Sequence, residues 1–164
     1  MQNSNDPPAA SSTDRPNRLP WPPIIYIVAL AAAYLLERVA PLTSMPRHSA
    51  WHSAGWALFT LGIAIGVAGI AHFRSIDTTV DPTGQAKALA THGVYGFTRN
   101  PMYLGAVVGF VGLAFALESA WLLILALLMP IALRQLAIDR EEAYLKRRFG
   151  AAYDAYCQKV RRWI

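Results

Sequence analysis

Hydrophobic positions gather into long blocks divided by shorter polar stretches, and the blocks set the elements. The first covers 24–36, apolar apart from Tyr26 and Tyr34, with Trp21 ahead of it and Glu37-Arg38 behind. Residues 21–40 thus supply the roughly 20 positions a helix needs to cross a bilayer. Pro22 and Pro23 suit its first turn. The second block, 51–73, carries no formal charge when His52 and His72 are neutral, and predicts a second span. Gly62, Gly66 and Gly69 fall on one side of that helix, where small residues let another helix pack closely in lipid. The third block, 102–133, is interrupted only at Glu118-Ser119. It is too long for one ordinary span, so the interruption predicts the tip of a tight helical hairpin. Its arms, 102–117 and 120–133, would be about 21 to 24 Å long at 1.5 Å per residue. That is short, and calls for a shallow crossing, local thinning or extension past Arg134. Pro130 predicts a kink.

The remaining stretches are polar. Residues 1–20 are rich in Asn, Ser, Asp and Pro and predict a disordered tail ahead of a single domain over 21–164. No short apolar segment with a small-residue cleavage site follows a basic start, so no removable signal peptide is expected. A turn is expected over 41–50, with Pro41, Pro46 and Arg47, and a surface loop over 74–100, with Asp77, Asp81-Pro82, Gly84 and Lys87. Beyond the last block, 134–148 keeps helical character, and Phe149-Gly150 stops it by a glycine C-cap. A second amphipathic piece, 151–160, carries Tyr153 and Tyr156, and Arg161-Arg162-Trp163-Ile164 reads as an interfacial anchor. The fold expected is all-α: a membrane bundle of about four transmembrane helices, the last two a hairpin, followed by a cytoplasmic amphipathic segment.

Composition sharpens this. A chain of 164 residues, 54% hydrophobic, with a mean hydropathy of +0.28, has room for one domain and suits a bilayer. The net charge of +5 sits beside apolar spans with no nucleic-acid-binding module, so nucleic acid is excluded as a partner. Thirteen of the 15 Lys and Arg fall in the N-terminal tail, the 74–100 loop and the C-terminal segment, which four spans place on one side. Arg38 and Arg47 are on the other. The positive-inside bias then puts both termini in the cytoplasm. A single Cys157 excludes an internal disulfide and any multi-cysteine metal site. His48 and His52 stand four apart with no third ligand nearby, so no metal is expected.

Candidate chemistry lies at 91–105, where Gly93, Gly96, Gly105, Tyr95, Arg99, Pro101 and Tyr103 crowd the start of the third block. Glycine allows close backbone approach, and proline fixes a helix start. A straight hairpin folded at 118/119 brings Glu141 opposite Gly96 and Glu142 opposite Tyr95. A carboxylate pair there can hold an amine; alternatively Glu142 pairs with Lys146 on a solvated helix face. Arg99 can hold a carboxylate, of cofactor or substrate, through its planar fork, or snorkel at the membrane edge. Tyr95 and Tyr103 line a site or join an interfacial aromatic belt.

Gly93-x-Tyr95 followed by Arg99-Asn100-Pro101-x-Tyr103-x-Gly105 resembles the signature of the isoprenylcysteine carboxyl methyltransferases. With Asn100 where many of these have His, it is similar to the phospholipid N-methyltransferase form. Glu141-Glu142 and the Phe149-Gly150-x-x-Tyr153-x-x-Tyr156 block follow in the same order and spacing. The resemblance implies an integral-membrane methyltransferase using S-adenosylmethionine, with a hydrophobic or amphipathic methyl acceptor. It implies a cofactor wall of His92, Gly93, Val94, Tyr95, Asn100, Pro101, Tyr103 and Leu104, completed by Glu141 or Glu142. Arg99 and Tyr103 become the candidates nearest the chemistry. The sterol-reductase group shares an Arg-His-Pro-Asn-Tyr version of the first block, which leaves a nicotinamide-dependent reductase as the alternative, beside a membrane protein with no enzymatic role. Here Met102 replaces the Asn of that version.

Overall fold

The computed structural model describes residues 16–17, 19–42, 49–79, 81 and 83–164. Every regular element among them is helical. The order is α1 (Trp21–Val39), α2 (Ser49–Ser75), a 3-10 turn (Gly93–Gly96), α3 (Pro101–Ala116), α4 (Ala120–Leu133), a π-helical turn (Arg134–Ile138), α5 (Asp139–Phe149) and α6 (Ala151–Lys159). Three helices are long and apolar enough to cross a membrane: α1, α2 and the continuous Ala120–Phe149 rod; α3 is apolar but shorter. The expected membrane bundle stands. Extension past Arg134 makes up the short fourth span.

The hairpin turns where the sequence places it. Glu118 adopts a positive φ of 54°, and the Ser119 hydroxyl caps α4 by accepting from the Leu122 amide at 3.1 Å. Ser119 also donates to Glu37 at 2.7 Å, and Trp121 donates to the Ala40 carbonyl at 2.8 Å. These bonds satisfy the C-terminal end of α1 and tie it to the hairpin tip. Within the bundle, α2 packs on α3, α3 on α4 and α4 on α1.

The tightest contact is a glycine seam. Gly55, Gly62 and Gly69 of α2, each seven residues apart, are buried, and Gly62 meets Gly105 and Gly109 of α3. A Cβ on Gly105 would lie 2.6 Å from the Gly62 carbonyl oxygen, so backbone meets backbone. Gly55 joins the predicted stripe, and Gly66 also borders α3, its amide nitrogen 2.8 Å from where a Cβ on Gly105 would lie, although a Cβ on Gly66 itself would meet nothing within 4 Å. The seam follows a seven-residue period because two helices running nearly alongside one another return to the same face every two turns.

Other expectations are revised. Pro130 lies inside α4, and a π-helical turn that the sequence did not announce begins at Arg134. Residues 74–100 are more than a surface loop: Thr78 and Ala90 are buried, the Thr78 hydroxyl accepts from the Lys87 and Ala88 amides, and Ala86 donates its amide to the Tyr144 hydroxyl at 3.0 Å. The C-terminal residues are docked on the protein as well, with Trp163 packed against the core that contains Tyr103 and Leu133. Of the predicted tail, 1–15 and 18 lie outside the described residues, as does 43–48 of the predicted turn; Asn17 is 2% exposed. Gly150, with φ +52°, separates α5 from α6 as its sequence position suggests.

Candidate functional site

At the end of the bundle away from the hairpin tip, the C-terminus of α2, the N-terminus of α3, α5, α6 and the folded-down 74–100 segment enclose a cavity of about 120 Å³. Its wall includes Tyr95, Arg99, Tyr103, Glu141, Glu142 and Tyr153.

The 3-10 turn that carries Tyr95 starts on Gly93, whose φ of +60° an L side chain rarely adopts. It lays the Tyr95 ring on Phe73 of α2, centroids 4.9 Å apart and 11° from parallel, with His72 at 5.6 Å. The Tyr156 hydroxyl donates to the Tyr95 carbonyl at 2.7 Å and pins the turn from α6. The Tyr95 hydroxyl itself is buried without a partner. Burial, and then the charges of Tyr156 and Glu141, push its ionisation well above the ordinary phenol range, so it stays protonated.

Pro101 opens α3, where its missing N–H costs nothing. Two residues on, the Tyr103 hydroxyl donates to Glu141 Oε1 at 2.6 Å, and Asn17 Nδ2 donates to the same oxygen at 3.2 Å. A straight hairpin puts Glu141 level with Gly96, not Tyr103. The difference has a simple cause, since helical side chains lean toward their own N-terminus. In antiparallel arms Tyr103 leans up toward the site and Glu141 leans down toward the membrane, and they meet between. Glu141 belongs to the charged α5, beyond the apolar stretch. Burial raises its carboxyl, the bonds from Tyr103 and Asn17 lower it, and the Glu142 charge raises it again; the net direction is upward.

Glu142 has a different environment. Arg162 grips it through Nε to Oε1 at 3.0 Å and Nη2 to Oε2 at 2.6 Å, and Arg99 Nη2 stands 3.1 Å from Oε1. Lys146 is not its partner; it pairs with Asp154 at 3.1 Å. The backbone repeats the connection. Arg99 donates its amide to the Arg161 carbonyl at 3.0 Å, and the Arg162 carbonyl accepts from Thr98 Oγ1 at 3.1 Å and Asn100 Nδ2 at 3.0 Å.

The structure therefore brings Tyr95, Arg99, Asn100, Pro101, Tyr103, Glu141 and Glu142 to one cavity. His92, Gly93, Val94 and Leu104 do not line it; His92 is exposed, with Nδ1 2.9 Å from the Thr91 hydroxyl. Sequence reasoning missed Phe73, Asn17, Tyr144 and Arg162. Only Arg162 left a signal, through the aromatic and basic pattern of the tail. His48 lies outside the described residues, His52 Nε2 accepts from Trp56 at 3.1 Å, and no cluster of three metal-ligand types occurs among the described residues.

A helical membrane protein with a polar and aromatic chamber at one end of the bundle is thus defined. A family model for phospholipid methyltransferases matches residues 50–152, and the chain belongs to that family. Delta(14)-sterol reductase LBR of Gallus gallus is 36% identical over 84 residues, 49% of this chain and 13% of that protein. The Lamin-B receptor of Drosophila melanogaster is 28% identical over 155 residues, 85% of this chain and 20% of that protein. An uncharacterized protein of Haemophilus influenzae is 47% identical over 45 residues, 27% of this chain and 68% of that protein. The chain spans a fifth or less of the length of the first two. No solved structure matches it.

Proposed function

We propose that the protein transfers a methyl group from S-adenosylmethionine to a hydrophobic or amphipathic acceptor, a carboxylate or an amine, at the cytoplasmic face of a membrane. The observation that carries this reading is the convergence of the family signature, through Tyr103 and Arg99, on the Glu141-Glu142 pair. The wall also fits the cofactor chemically. The Tyr95 hydroxyl and Arg99 Nε are buried polar atoms without partners, which a bound ligand would satisfy. Among the described residues Glu141 is bonded to the neutral donors Tyr103 and Asn17, which leaves it open to a cationic ligand. The stacked Phe73–Tyr95 pair offers aromatic faces to a positive sulfur.

When bound, S-adenosylmethionine supplies a methyl group on a cationic sulfonium, open to attack from the side opposite sulfur. The protein's part is positioning and exclusion of water. Glu141 attracts the amine, Arg99 faces a carboxylate, and the 74–100 segment, held to α5 through Ala86 and Tyr144, covers part of the chamber. The orientation is supported by the eleven Lys and Arg of the 74–100 segment and of the chain from Arg134 onward, the two parts that build this chamber. Calorimetry with S-adenosylhomocysteine on the detergent-purified, folded protein tests the reading; absence of binding overturns it.

A nicotinamide-dependent reductase is the second reading, favoured by the similarity to Delta(14)-sterol reductase LBR. Tighter binding of a nicotinamide nucleotide than of S-adenosylhomocysteine would decide for it.

A further inference from the structure

We propose that Arg162, from the C-terminal segment, is a positioning residue that frees Arg99 to bind the carboxylate of the cofactor. The inference rests on the methyltransferase reading above.

Glu142 has two oxygens, and Arg162 takes both in a fork. A second nearby guanidinium can then reach the carboxylate only singly. Arg99 does so through Nη2, and its Nε is left buried in the wall without a partner. A guanidinium N–H removed from water and unpaired is costly, and it is relieved by an anionic oxygen placed against it. With Arg162 absent, Glu142 would offer both oxygens to Arg99, and a bidentate pair would commit the Arg99 fork to Glu142 instead of a ligand carboxylate. Arg162 is itself steadied by Asp139 at 3.2 Å, and Asp139 is shared with Arg134 at 3.5 Å.

The backbone of Arg162 works separately. Its carbonyl holds Thr98 and Asn100, so a side-chain substitution leaves those bonds in place. That separation makes the test clean. Binding of S-adenosylhomocysteine and of its decarboxylated analogue, which keeps the amine, is measured by calorimetry on the full chain in detergent. For Arg162→Gln, affinity for S-adenosylhomocysteine is expected to fall by about tenfold or more, with the analogue nearly unchanged. Arg162→Lys keeps charge but loses the fork, and should fall between; it also carries the comparison if Arg162→Gln fails to fold. Equal losses for both ligands would make Arg162 a structural residue only, and no loss for either would remove it from the site. Both results overturn the proposal. A folded parent that binds neither ligand sinks the methyltransferase reading, and this subsite with it.

Discussion

Tyr103 and Glu141 stand 38 residues apart in the chain, and the Tyr103 hydroxyl lies 2.6 Å from Glu141 Oε1. The bond joins the start of one hairpin arm to the extension of the other, at the chamber wall. Glu141→Gln keeps the shape and an acceptor for Tyr103 but removes the charge. It is expected to weaken S-adenosylhomocysteine binding by about 1.5–3 kcal/mol, roughly ten- to more than hundredfold, without unfolding the protein. Glu118→Gln, at the hairpin tip, serves as the control and should leave affinity alone. Unchanged affinity in Glu141→Gln would remove this carboxylate from the cofactor site.

Binding should also depend on pH in a defined sense. On the proposed reading the cofactor's ammonium would be held by ionised Glu141, whose carboxyl is raised chiefly by burial. Affinity for S-adenosylhomocysteine is therefore expected to rise with pH through a titration above the ordinary glutamate range, and Glu141→Gln should abolish that step. The ligand-free fold has the opposite dependence. A carboxyl raised in the folded state contributes stability below its unfolded titration and loses that contribution as pH rises through the folded one. Titration calorimetry and thermal unfolding across that interval read the two effects separately.

The glycine seam gives a stability contrast within one helix. Gly62→Ala drives a methyl into the backbone of α3 and is expected to cost about 1–3 kcal/mol. Gly66→Ala meets open space and should be tolerated or mildly stabilising in a helix. Unfolding in detergent checks both; equal behaviour would contradict the close approach of α2 and α3.

The charge distribution predicts a cytoplasmic position for both termini. With Cys157 replaced by Ser, cysteines placed near residue 2 and after Ile164 should be labelled only from the cytoplasmic side. Labelling of either from outside would overturn the assignment of the chamber to the cytosol.

Much of this was legible along the chain, for local reasons. Glu118-Ser119 could not sit in an apolar run unless the chain turned there, and the turn then brought Arg99 and Tyr103 near Glu141-Glu142. What escaped is non-local. Arg162 looks like any basic residue at a membrane edge until Glu142 is seen between its fork and Arg99. Asn17 sits in a stretch whose composition resembles a tail, and only the nearby carboxylate gives it a place. Gly55 belongs to the seam through a seven-residue spacing that a pattern of glycines three or four apart passes over.

The π-helical turn at Arg134–Ile138 makes the site a matter of phase. One residue inserted in a helix advances everything after it by about 100° around the axis. Glu141, Glu142 and Tyr144 all follow that turn, and all three face the chamber. Deleting a single residue from the turn would leave composition, span and charge almost unchanged, yet swing the carboxylates toward lipid or solvent. Length along this rod is thus as tightly constrained as residue identity.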